Sequence, residues 1–157
     1  GHPIGPSNIE AQQNSFLVLQ DSIEESDITF LLTDSRESRW LPTLIAKARN
    51  KMLIDCALGF DTFVVMRHGM TESADKEALG CYFCSDVTAP GDSISDRLLD
   101  QQCTITRPGV APIAAALAVE LAVSWMHRPG AKPSDASDSI PGGGLSGTPQ
   151  DTVPHQI

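Results

Sequence analysis

Apolar residues follow two rhythms along this chain. Over residues 10–25, Phe16, Leu17, Leu19 and Ile23 recur at roughly helical spacing, which predicts a helix there. Residues 27–33 instead gather Ile28, Thr29, Phe30, Leu31 and Leu32 into a short run, the pattern of a buried parallel strand. A second helix is expected from Trp40 or Leu41 to Asn50, with Pro42 in its first turn, where a missing N–H does no harm. Residues 51–57 and 62–66 read as two further strands around a turn at Gly59. Strand, helix, strand, strand implies an α/β sheet with at least one crossover. Residues 67–80 read as a polar surface loop. Residues 81–108 lack a period and carry Pro90, Gly91 and Pro108, so an irregular segment is expected. A long Ala-rich helix over 110–127, apolar on most sides and hence expected to be largely buried, is stopped by Pro129 and Gly130. Residues 131–152 are rich in Ser, Pro, Gly and Asp and are expected to be disordered.

Composition narrows the class. The 157 residues suffice for one domain with a real core, and 41% hydrophobic with 20% charged is ordinary for a soluble globular protein. Twenty acidic against eleven basic residues give a net charge of −9, and no Lys/Arg run occurs. That balance argues against a nucleic-acid partner, which needs clustered cations to neutralise phosphates. The apolar stretch 110–126 is broken by Pro112, Glu120 and Ser124, so it reads as a buried helix without stable membrane insertion. No signal peptide opens the chain, and Gly1-His2-Pro3 suggests a partial or processed chain. Without a secretory signal, the four cysteines fit a reducing cytosolic setting better than two disulfides.

Three groups of residues could carry chemistry. Asp34, Glu37 and Arg39 sit where the first strand opens into a loop, the end of α/β strands at which ligands bind. Acidic side chains there can hold magnesium on phosphates and an arginine can face phosphate oxygens. The same residues also suit a helix start, with Asp34 or Ser38 as N-cap and local ion pairs. Cys103 lies in a polar stretch, Gln101-Gln102-Cys103-Thr104, ahead of the long helix. Arg107 and the helix start near Gly109 could favour its thiolate, whereas a small residue filling a gap is the alternative. Cys81 and Cys84 form a C-x-x-C, either half of a four-ligand zinc knuckle or a redox pair, although Tyr82-Phe83 opens no obvious helix. Cys56 reads as core, and His68 and His127 as structural, the latter favoured by a helix C-terminus.

Several strings, taken in order, resemble the activating enzymes of the autophagy ubiquitin-like modifiers, within the ThiF/ubiquitin-activating superfamily. They include Asp34-Ser35-Arg36-Glu37-Ser38-Arg39-Trp40-Leu41-Pro42, Gly80-Cys81-Tyr82-Phe83-Cys84-Ser85 and Asp100-Gln101-Gln102-Cys103-Thr104. Between and after them stand Asp61-Thr62-Phe63-Val64-Val65-Met66-Arg67-His68-Gly69 and Ala118-Val119-Glu120-Leu121. The resemblance covers most of residues 24–128. It implies a partial Rossmann-like, ThiF-type adenylation domain over 1–128, followed by a tail over 129–157. It further implies ATP and Mg2+ as cofactors, adenylation of a modifier's C-terminal glycine, and capture of the modifier on Cys103 as a thioester for conjugating enzymes. Asp34, Glu37 and Arg39 would handle magnesium and the adenylate phosphate, Glu37 standing where Asp is usual. Cys81 and Cys84 would be half of a structural Zn2+ site. A homodimer, acting in the cytoplasm at autophagosome assembly sites, is implied as well.

Two departures stand out: no G-x-G-x-x-G phosphate loop occurs, and no second C-x-x-C follows. The isolated chain is therefore expected to bind ATP poorly and to hold an incomplete zinc site. A sulfur-transfer adenylating enzyme is a competing reading, which the Asp100–Thr104 string disfavours. A non-catalytic dimerisation scaffold built on the helix at 110–127 is the other.

Overall fold

A computed structural model describes residues 4–68, 80–85 and 105–127. After a 3-10 turn at Pro6–Asn8 come helix α1 (Ile9–Glu25), strand β1 (Ile28–Leu31), helix α2 (Arg36–Ala48), strand β2 (Met52–Leu58) and strand β3 (Phe63–Arg67). A single helical turn, α3 (Tyr82–Ser85), and helix α4 (Val110–Met126) complete the described elements.

The three strands make one mixed sheet in the order β1-β2-β3. β1 and β2 are parallel, from Ile28 opposite Met52 to Leu31 opposite Asp55, and α2 is the crossover between them. β3 runs antiparallel to β2, from Leu58 opposite Phe63 to Ile54 opposite Arg67, and the Gly59 N–H bonds the Thr62 carbonyl to close the turn. As the central strand, β2 has both faces covered, and Met52 through Cys56 are all buried. Alternation sends Ile54 and Cys56 to α4, where they meet Val65, Ala114, Ala118, Leu121 and Ala122. Leu53 faces the other way, into Ile23, Leu31, Ile45 and Ala46. Fully burying one such side chain contributes roughly 1.5–3 kcal/mol.

Several details differ from the sequence reading, the first being that Arg67, the last residue of β3, and His68 are buried rather than part of a polar surface loop. α2 starts at Arg36, so Pro42 lies inside the helix rather than in its first turn. Ser35, not Asp34 or Ser38, is its N-cap: Ser35 is extended, its hydroxyl donates to Ser38 Oγ (2.8 Å), and Ser38 Oγ donates back to the Ser35 carbonyl (2.7 Å). α4 buries one face only, because one face of one sheet is all that covers it among the described residues; Ile113, Val119 and Met126 remain exposed. On α1, Ile23 is buried while Phe16 and Leu17 are exposed, because only the end of the helix lies over α2 and β1. The helix predicted over 110–127 and the three strands stand within a residue or two of their expected places.

α2 closes with Asn50 in the left-handed region (φ 54°), a conformation Asn tolerates better than most residues. There the Lys51 N–H bonds the Ala46 carbonyl and turns the chain into β2.

Candidate functional site

At the carboxyl end of β1 the chain leaves the sheet, and the gap between this edge and α4 is a cavity of about 470 Å³. Phe30, Leu32, Cys56 and Leu58 form its sheet side and Ala111, Ala115, Ala118 and Val119 its helix side. Alanines create the space, since each withholds a side chain where a larger residue would fill it. The polar groups of the wall, Thr33, Asp34 and Arg39, are concentrated at one end. Asp34 is exposed, and Thr33 Oγ1 is buried without a hydrogen-bond partner among the described residues. A mostly apolar cavity with few convergent polar groups is the usual form of a ligand site.

Of the three loop residues singled out in the sequence, the structure brings Asp34 and Arg39 to the cavity. Glu37 lies half-buried in the first turn of α2 and is not part of the wall. Arg39 is only 4% exposed. Its Nη2 donates to the Thr33 carbonyl (2.6 Å), its Nε lies 3.5 Å from Asp55 Oδ1, and its guanidinium sits 5.6 Å from the centre of the Tyr82 ring. Burial pushes the Asp55 carboxyl up to about 6, against the opposing pull of the Arg39 charge and a backbone hydrogen bond at Cys56.

Asp55 and Tyr82 were not singled out from sequence. A carboxylate inside an otherwise apolar strand was the available signal, because a buried charge needs a partner.

Cys81 is half-buried and Cys84 exposed, and the Cys84 N–H bonds the Cys81 carbonyl (2.8 Å), closing the turn α3 that the sequence did not suggest. The Tyr82 N–H donates to Nε2 of the buried His68 (3.2 Å), giving His68 the structural role expected of it. His127 is the C-cap of α4. Cys56 is core and also faces the cavity. No group of three His, Cys, Asp or Glu side chains converges as a metal site among the described residues. Cys103, the candidate nucleophile, lies outside the described residues, as do the loop around residues 69–79 and the tail from 128 onward. Behind Cys103 the chain is anchored: the Arg107 N–H and the Thr106 hydroxyl both bond the Phe60 carbonyl, and Arg107 lies over the Phe60 ring.

Residues 6–137 match the ThiF family. The chain belongs to that family. Its mixed sheet with α2 and α4 on opposite faces is part of the Rossmann-like ThiF adenylation fold. Among curated relatives, it is 49% identical over 162 residues to the ubiquitin-like modifier-activating enzyme ATG7 of Debaryomyces hansenii, covering 100% of this chain and 23% of that protein. It is 51% identical over 167 residues to the protein so named in Botryotinia fuckeliana, covering 100% of this chain and 22% of the relative. For the one in Cryptococcus neoformans the figures are 45% over 173 residues, 100% and 25%. The chain thus spans about a quarter of the length of the relatives it matches. No described helix of this ThiF chain is long and apolar enough to cross a membrane.

Proposed function

We propose that this chain serves in an activating enzyme for the ubiquitin-like modifiers of autophagy, where it handles the modifier's C-terminal tail and the nucleotide. The observation that carries this is the cavity: apolar walls contributed by the sheet and α4, with its polar lining residues, Thr33, Asp34 and Arg39, following the carboxyl end of β1. A tail laid along Phe30, Leu58, Ala115 and Val119 brings its terminal carboxylate to Thr33 and Asp34.

Asp34 suits magnesium, which typically takes one or two protein carboxylates and completes its shell with water and substrate phosphates. Glu37, the carboxylate in the first turn of α2, lies outside the cavity wall and would need its longer reach to join Asp34 on the ion. The bound ion would neutralise phosphate charge during transfer. Thr33 Oγ1 has hydrogen-bonding capacity to give to a ligand. The modifier's carboxylate attacks the α-phosphorus of ATP and pyrophosphate leaves. The Cys103 thiolate then attacks the acyl carbonyl, AMP departs, and the thioester passes to a conjugating enzyme. Cys81 and Cys84 present two thiols at the ends of one turn, which suits half of a four-thiolate Zn2+ site.

Full-length protein carrying Cys103→Ser, given ATP, magnesium and modifier, is expected to form an adduct that resists thiol reductants, an ester replacing the thioester. A reductant-labile adduct on this variant would move the acceptor to another thiol. Absence of any ATP-dependent adduct on the unsubstituted protein would end the reading.

The exposed apolar residues of α4 outside the cavity wall, Ile113 and Met126, favour a second role beside the first, packing against another copy of the chain. Ile113→Glu is then expected to halve the mass of the full-length protein in sedimentation; an unchanged mass removes α4 from the contact. The proposed setting is the cytoplasm, at sites of autophagosome assembly.

A further inference from the structure

We infer that Arg39 is a positioning residue that clamps the Cys81–Cys84 turn to the β1–α2 loop, and that it does not serve as a nucleotide-phosphate ligand. Three contacts define the clamp. The guanidinium donates to the carbonyl of Thr33, the residue immediately before Asp34. It is paired with Asp55 on β2. It also lies against the ring of Tyr82, the residue immediately after Cys81. Tyr82 is itself fixed from behind, because it is buried and its N–H is held by His68 at the end of β3.

One buried group thus touches the backbone beside the exposed carboxylate of the cavity on one side and the interior of the C-x-x-C turn on the other. To reach a phosphate, Arg39 would have to release the Thr33 carbonyl and leave a buried carboxylate without its counter-charge, which is strongly unfavourable. The planar guanidinium can bond a carbonyl, pair with a carboxylate and stack on a ring together; a lysine ammonium cannot. The consequence is coupling: anything that reorders the Cys81–Cys84 turn, metal binding included, is felt at Thr33 and Asp34, and the reverse holds equally.

The test uses the full-length protein with Arg39→Met, Arg39→Lys and Tyr82→Leu. N-ethylmaleimide labelling of each cysteine is followed by peptide mass spectrometry, alongside ATP–pyrophosphate exchange. Buried Cys56 serves as the internal marker of folding. Arg39→Met is expected to speed labelling of Cys81 about tenfold with Cys56 still protected, and Arg39→Lys to restore little of the protection. Exchange should fall through kcat by roughly tenfold to a hundredfold, the size of effect that small misplacement of a site produces, with KM for ATP nearly unchanged. Tyr82→Leu, which leaves the Arg39–Asp55 pair in place, should reproduce both effects and decides the matter if Arg39→Met exposes Cys56.

A raised KM for ATP in Arg39→Met, with kcat and Cys81 labelling unchanged, would make Arg39 a phosphate ligand and overturn the inference. So would a Tyr82→Leu protein with faster Cys81 labelling and normal exchange. The activity arm rests on the proposed function, whereas the labelling arm does not. If the unsubstituted protein shows no exchange, that function fails while labelling still judges the clamp.

Discussion

The two faces of the sheet are built on opposite principles. Towards α4, Ile54, Cys56 and Val65 meet Ala114, Ala118, Leu121 and Ala122, a contact of small apolar groups whose cohesion is non-directional. Towards α2, an apolar cluster around Leu53 shares its layer with the buried pair Arg39–Asp55, joined to the Thr33 carbonyl and the Tyr82 ring. The α4 face is held by the close packing of these side chains. The α2 face has directional bonds that fix one arrangement, and it is the face that carries the β1–α2 loop.

The sharpest way to break this contrast is Asp55→Leu, which leaves the Arg39 charge buried and unpaired. Unfolding in urea should show a loss of about 3–5 kcal/mol. A loss below about 1 kcal/mol would mean that the polar layer is no more directional than the apolar one.

Acidity offers a second approach. The folded carboxyl of Asp55 titrates at about 6, above its ordinary 3.8, so the native state holds this proton more tightly than the unfolded chain does. Its contribution to stability is fully present below pH 3.8 and is lost as pH rises through about 6, in all by ~3 kcal/mol. Asp55→Asn should therefore flatten the dependence of the urea midpoint on pH across that window; an unaltered slope would mean that burial does not govern this carboxyl.

On the α4 face, Ala114→Leu overfills a fully buried position and should cost about 1–3 kcal/mol, since neighbouring side chains can shift without breaking a directional bond. The smallest effect belongs to the ion pair between Arg49 and Glu24 (2.8 Å), half-exposed where α2 meets α1. Glu24→Gln should cost under about 1 kcal/mol and vanish in high salt, in contrast with the buried pair.

Legibility in the sequence followed the same division. β1, β2, β3 and α4 announced themselves because short runs of apolar and β-branched residues and a long apolar stretch are local signals. The start of α2 did not, because Pro42 suits a first turn, while the Ser35–Ser38 bonds that begin the helix at Arg36 leave little trace in composition. At the candidate site, Asp34 at a strand's carboxyl end was readable from position alone. The placement of Arg39 was not: its partners lie far along the chain, Asp55 reaching it through the parallel crossover and Tyr82 through the turn α3 beyond β3. The alanines of α4 read as core, yet Ala111 and Ala115 line a cavity, a difference set by where the sheet ends rather than by residue type.

Those alanines also bear on how such a chain can vary. At Ala111 and Ala115 the width of the cavity is set by absent atoms, so a larger residue at either would narrow it. Under the proposed function, that narrowing would act directly on the bound peptide end. Under that function, selection at these two positions would act through what lies beside the helix more than through how firmly the helix is held.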